Sequence, residues 1–106
     1  KGEQHNLFEK SLPSSVVADA ANIFEIHERQ ITGNRRKQDF VSARNVVAWQ
    51  MRKNGFPVGK IAETLKKPSP TVSNMFVKID RLLEKPFETL KPNERKLVEV
   101  LRSRGV

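Results

Sequence analysis

Two short amphipathic segments, Pro57–Lys66 and Ser69–Lys85, meet across the break Lys66-Lys67-Pro68, and this punctuation restricts the chain to short helices joined by tight turns. In the first segment Val58, Ile61, Ala62 and Leu65 recur at the three- and four-residue spacing of one helix face. In the second, Val72, Phe76, Ile79 and Leu83 form the inward face, with Met75 and Leu82 beside them. Ser69 followed by Pro70 reads as an N-cap and first-position pair, and Lys85-Pro86 as a stop. Together the two segments read as a helix-turn-helix.

The flanking sequence is helical by the same test. Ser14-Ser15 after Pro13 is placed to cap a helix through VVADAANIF, with Val16, Ala20, Ile23 and Phe24 on one side. EIHERQI follows as a short turn or helix pinned by Ile26 and Ile31. Thr32–Gln38 contains Gly33-Asn34 and no apolar residue, which marks a loop. Asp39 is placed to cap a long helix that Gly55 ends, with the stripe Phe40, Ala43, Val47 and Met51. Val46 and Trp49 lie off that stripe, so this helix needs neighbours on two sides and should be central. A linker, FETLK, leads to a last helix, Pro92–Arg104, which carries Leu97, Val98 and Leu101 on one side and is ended by Gly105. No segment alternates like a strand and no internal repeat is present. The predicted fold is an all-α bundle of five to six helices. Residues 1–12 read as an arm whose order is left open, 13–85 as the helix-turn-helix domain, and 86–106 as a linker and C-terminal helix packed on the domain or at an interface.

Charge narrows the partners. Twenty Lys and Arg against 12 Asp and Glu give 106 residues a net charge of +8, while hydrophobic residues make up only 37 %. A compact core with a strongly basic surface favours a polyanion, nucleic acid before an anionic membrane. The chain has no cysteine, which excludes a disulfide framework and a zinc finger. It also has no apolar run of the roughly 18 residues that span a bilayer. The location expected is cytoplasmic and nucleoid-associated.

The helix-turn-helix assigns roles to residues. At about 100° per residue, Thr71, Asn74, Lys78 and Arg81 cluster opposite the inward face of the second helix. Threonine and asparagine suit base edges, and lysine suits phosphate or guanine. Arg35, Arg36 and Lys37 stand in a loop from which long side chains can enter a minor groove. Lys60, Lys66 and Lys67 lie on or just after the first helix, where it should cross a nucleic-acid backbone. The helix start at Ser69–Val72 offers N–H groups to a phosphate. Val58 and Ser73 complete the set expected to face a duplex. The ordinary alternative for each is a solvated helix face or turn.

The pieces VADAANIFEI, NRRK, ARNVVAWQMRK, VGKIAETL and TVSNMFVKIDRLL, in that order, resemble the C-terminal DNA-binding domain of the bacterial replication initiator DnaA. The resemblance runs from Val17 to Leu83, about two thirds of the chain. It implies a Trp repressor-like helix-turn-helix bundle, with Arg36 in a minor groove beside Arg35 and the second helix in a major groove. By position, Arg44 matches a backbone-contacting arginine, Thr71 the second threonine of the family signature, and Lys78 the lysine of its closing segment. Departures are clear. Pro68-Ser69-Pro70 stands where the family has Asp-His-Thr, with a turn one residue shorter, and Gly59 replaces a proline. Phe87–Val106 has no counterpart. The resemblance therefore implies the architecture and double-stranded DNA binding, in replication initiation or transcription regulation, rather than the standard initiator box. A transposase-like or phage DNA-binding part fits equally.

Other chemistries lack support. His5 and His27 have no metal-ligand spacing between them or with a carboxylate. No phosphate-binding glycine motif or nucleophile elbow occurs, so neither an enzyme, a cofactor, a metal nor a small-molecule substrate is expected. The rival from another class is a protein-interaction module in which Leu97, Val98, Leu101 and Val106 form a homodimer face. Core closure by the same residues is the favoured account.

Overall fold

The structure is a computed structural model and describes residues 12–104. Six α-helices occur among the described residues: α1 Pro13–Phe24, α2 Glu28–Thr32, α3 Gln38–Lys53, α4 Val58–Leu65, α5 Ser69–Glu84 and α6 Pro92–Arg104. A single 3₁₀ turn, Phe87–Thr89, lies between α5 and α6. No strand occurs among the described residues, so the all-α expectation holds. The arm at 1–11, Gly105 and Val106 lie outside them.

The starts of α1, α3 and α5 fall one or two residues earlier than the sequence suggests, for one shared reason, whereas α4 begins at Val58, one residue after the expected Pro57, and α6 at Pro92 as expected. The carbonyl that accepts the first helical bond belongs to a residue one or two positions before each expected cap. Leu12 O accepts from Val16 N at 3.1 Å, Lys37 O from Val41 N at 3.0 Å, and Pro68 O from Thr71 N at 3.0 Å. Ser14, Ser15, Asp39 and Ser69 are therefore inside their helices and do not cap them. Pro13 and Pro70 sit in first turns, where the missing N–H has no intrahelical partner to lose. Asp39 still complements the partial positive charge of that helix start.

Helix ends follow the sequence more closely. Gly55 adopts φ 90° just past α3, a left-handed conformation that costs glycine little. Glu25 and Lys66 take the same conformation without that freedom, at φ 56° and 57°. Each closes its helix by aligning the next N–H with a carbonyl of the last turn: Ile26 N with Ala21 O at 2.9 Å, and Lys67 N with Ala62 O at 3.0 Å.

Helix α3 is the axis of the bundle and packs against each of the other five. Ala43, Val47, Ala48 and Met51 are fully enclosed, and Val46 and Trp49 are buried on its other sides. This two-sided burial is what the off-stripe positions predict. Val16, Val17, Ala20, Ala21 and Phe24 close the core from α1, Ile31 from α2, and Ile61, Ala62 and Leu65 from α4. Val72 and Ile79 are the fully enclosed residues of α5, while Phe76, Leu83, Met75 and Leu82 are half-buried against the core.

The C-terminal helix belongs to the same core. Leu97, Val98 and Leu101 are buried, and α6 packs on α3 and α5. The segment before it is more than a linker, because Leu90 is buried and Phe87 lies 5.6 Å beneath the Arg95 guanidinium. The apolar face offered by the interaction-module rival is thus occupied within one chain.

Candidate functional site

Helices α4 and α5 are joined by Lys66, Lys67 and Pro68 and pack directly on each other. The turn is this short because Lys66 ends α4 in the left-handed conformation while Pro68, at ψ 149°, is already the N-cap of α5. Beside the turn lies the loop Gly33–Lys37, carried between α2 and the first turn of α3. Loop, turn, α3 and α5 enclose a groove of about 500 Å³.

Four cations line this groove: Arg36 from the loop, Arg44 from α3, Lys67 from the turn and Lys78 from α5. Thr71 and Asn74 reach it from the exposed side of α5, and Asn34 and Asn45 add amide groups from the loop and α3. Val41 and Met75 supply its apolar lining. Among the described residues no carboxylate lines it. The ion pairs Lys60–Glu63, at 3.1 Å, and Arg52–Asp80, at 3.5 Å, involve none of its lining residues.

Six residues singled out from sequence therefore converge: Arg36, Arg44, Lys67, Thr71, Asn74 and Lys78. The remainder do not line the groove. Arg35 is exposed beside Arg36, and Lys37 leans back over the Phe40 ring, 5.8 Å from its centroid. Val58 is half-buried against the core. Lys60 is held by Glu63 on the outer face of α4. Lys66, Ser69 and Ser73 are exposed.

Two of the convergent cations are engaged inside the protein. Arg44 is buried; its Nε donates to Ile31 O at 2.6 Å and its terminal nitrogen to Gln30 O at 3.0 Å. Lys67 Nζ donates to Thr32 O at 3.2 Å, to Gly33 O at 2.5 Å and to Asn34 Oδ1 at 3.2 Å. Burial, and then the charge of Arg36, push the Arg44 pKa below its ordinary value. Burial, and then Arg44, lower that of Lys67. Positive charges repel one another here without a carboxylate to offset them, so an anion entering the groove is favoured.

Asn34, Val41, Asn45 and Met75 were not anticipated as groove residues. Val41, Arg44 and Asn45 do follow the three- and four-residue spacing of one helix face, a signal overshadowed by the apolar stripe beginning at Phe40. Met75 lies between Thr71 and Lys78 at the same spacing, but its apolar character matches the core face equally well. His27 does not line the groove; it is exposed, its backbone N–H bonded to Gln30 Oε1 at 2.8 Å, and His5 lies outside the described residues. Among the described residues no group of acids, histidines or cysteines could hold a metal ion, and no helix is long and apolar enough to cross a membrane.

Comparison with known proteins finds a distant similarity to part of a longer protein. The chain is 30 % identical over 81 residues to the chromosomal replication initiator protein DnaA of Pseudothermotoga lettingae, a match covering 74 % of this chain. It spans 18 % of that relative's length. No family model and no solved structure matches the chain.

Proposed function

We propose that this chain binds double-stranded DNA and reads its sequence through a helix-turn-helix formed by α4 and α5. In this reading α5 enters the major groove with Thr71 and Asn74 toward base edges. Lys78 and the exposed Lys66 of the turn lie along the phosphates, and the loop carrying Arg36 reaches the adjacent minor groove. The observation that carries the reading is the groove, lined by no carboxylate among the described residues, in which cations from the loop, α3 and the turn meet Lys78 and the polar side of α5. Steering by that field and neutralisation of phosphates would dominate affinity. Similarity to part of a replication initiator supports a role in initiation; regulation of transcription would use the same contacts. Pro68-Ser69-Pro70 at the start of α5 favours a target other than the standard initiator box.

Selection of bound duplexes from a random pool, followed by salt titration on the recovered site, tests this directly. With about five to seven phosphate contacts, log K should fall against log salt with a slope near −5 to −6. A flat response, or no enrichment of any sequence, would count decisively against it. On the recovered site Asn74→Ala is expected to cost about 1–3 kcal/mol, and on unrelated duplexes almost nothing. Fluorescence anisotropy on matched and scrambled duplexes separates the two. Equal losses on both would assign Asn74 to the DNA backbone instead of the bases.

A further inference from the structure

The C-terminal end of α2 has an unusual termination. A helix leaves its last carbonyls without intrahelical donors, and these carry partial negative charge. Gly33 follows α2 at φ −80° and ψ −170°, so the left-handed turn that closes α1 and α4 is absent here. Side chains close the end instead. Thr32 Oγ1 donates to Arg29 O at 3.4 Å, and Arg44 bonds Gln30 O and Ile31 O. Lys67 then takes the next two carbonyls and the Asn34 side chain. Four consecutive carbonyls, 30 to 33, are thus held by cations from α3 and from the α4–α5 turn.

From this we infer that Lys67 is a positioning residue that fixes the Arg36 loop relative to α5, so that the two reading elements are set at one spacing before any nucleic acid arrives. Lys67 lies two residues before α5 begins, and Asn34, which it bonds, lies two before Arg36. Its ammonium therefore ties together the points from which both elements extend. Without it, the loop keeps its chain connections but loses the tether to the turn. Ordering it would then oppose binding, because a loop fixed only on association loses conformational freedom at that moment. The inference rests on the DNA-binding reading for its consequence, while the tether itself belongs to the free protein.

Lys67→Met retains most of the apolar stem and removes the donor. In the free variant, amide hydrogen exchange at Gly33–Lys37 should accelerate while the core amides of α3 keep their protection. Unchanged exchange in the loop would overturn the tether. On the selected duplex, the wild type should discriminate A·T from G·C where the loop reads the minor groove by about five- to 150-fold. It should tolerate I·C there, which lacks the guanine amino group. Lys67→Met should reduce the G·C penalty to less than about twofold, with the salt slope unchanged. A slope flatter by about 0.9 with discrimination intact would make Lys67 a phosphate contact and overturn the proposal. Asn34→Ala, at an exposed loop position, should shift exchange and discrimination in the same direction by a smaller factor; no shift in either would likewise count against the tether. Wild-type protein that binds no duplex defeats the functional reading, and with it the consequence; wild-type protein that binds, alongside a fully discriminating Lys67→Met, defeats the proposal alone.

Discussion

Leu101→Glu is expected to unfold the chain instead of yielding a folded monomer. Leu101 is completely enclosed where α6 meets α3 and α5. Removing a buried leucine costs about 2–5 kcal/mol. An unpaired carboxylate in its place adds several more, or forces protonation. A domain of this size has a total stability of about 5–15 kcal/mol, so the sum consumes most or all of it. Circular dichroism should show loss of the cooperative thermal transition, and sedimentation an expanded chain. A compact, helical monomer replacing a wild-type dimer would restore the dimer face that the sequence alone permits. Val77→Glu is a fitting control: Val77 is 48 % exposed on α5, and surface changes of that kind stay within about 0.5 kcal/mol.

The fold was readable because apolar spacing reports burial directly. The three- and four-residue intervals of Phe40, Ala43, Val47 and Met51, with Val46 and Trp49 off the stripe, specify a helix enclosed on several sides, as α3 is. Helix starts were less legible. Serine and aspartate have similar preferences for the cap and for the first turn, and only the carbonyl that accepts the first bond separates the two places. At Ser69 the neighbouring prolines decide it, since Pro68 supplies that carbonyl.

The candidate site was readable in outline and obscure in its interior. Thr71, Asn74 and Lys78 share one side of one helix, so periodicity alone groups them. The meeting of Arg36 and Arg44 with Lys67 joins the α4–α5 turn to a loop and helix distant from it in sequence, and no local pattern encodes it. Sequence also cannot separate a lysine facing solvent from one bonded to backbone carbonyls. That distinction for Lys67 arises from the left-handed turn at Lys66, which aims the following residue across the gap toward α2.

Arg44→Met should be the most damaging substitution in the groove, and its damage should appear first in stability. The methionine fills much of the same volume but leaves Gln30 O and Ile31 O without their donors, at a site where Arg44 is only 7 % exposed. Hydrogen bonds to a charged donor contribute about 1.5–3 kcal/mol each. Part of that loss is offset, because the substitution also removes a desolvated cation repelled by Arg36 and Lys67. A net destabilisation of about 2–4 kcal/mol follows, lowering the melting temperature by on the order of 10–25 °C. Arg44→Lys should recover little of it, since a single ammonium cannot reproduce a planar guanidinium bonded through two of its nitrogens to successive carbonyls. Thermal melts of both variants, read beside duplex affinity, distinguish this role from the backbone contact suggested by family resemblance. An Arg44→Met protein that melts within about 2 °C of wild type while its salt slope flattens by about 0.9 would place the guanidinium on a phosphate. A large fall in melting temperature with an unchanged slope would leave it beneath the loop, holding the end of α2 against α3.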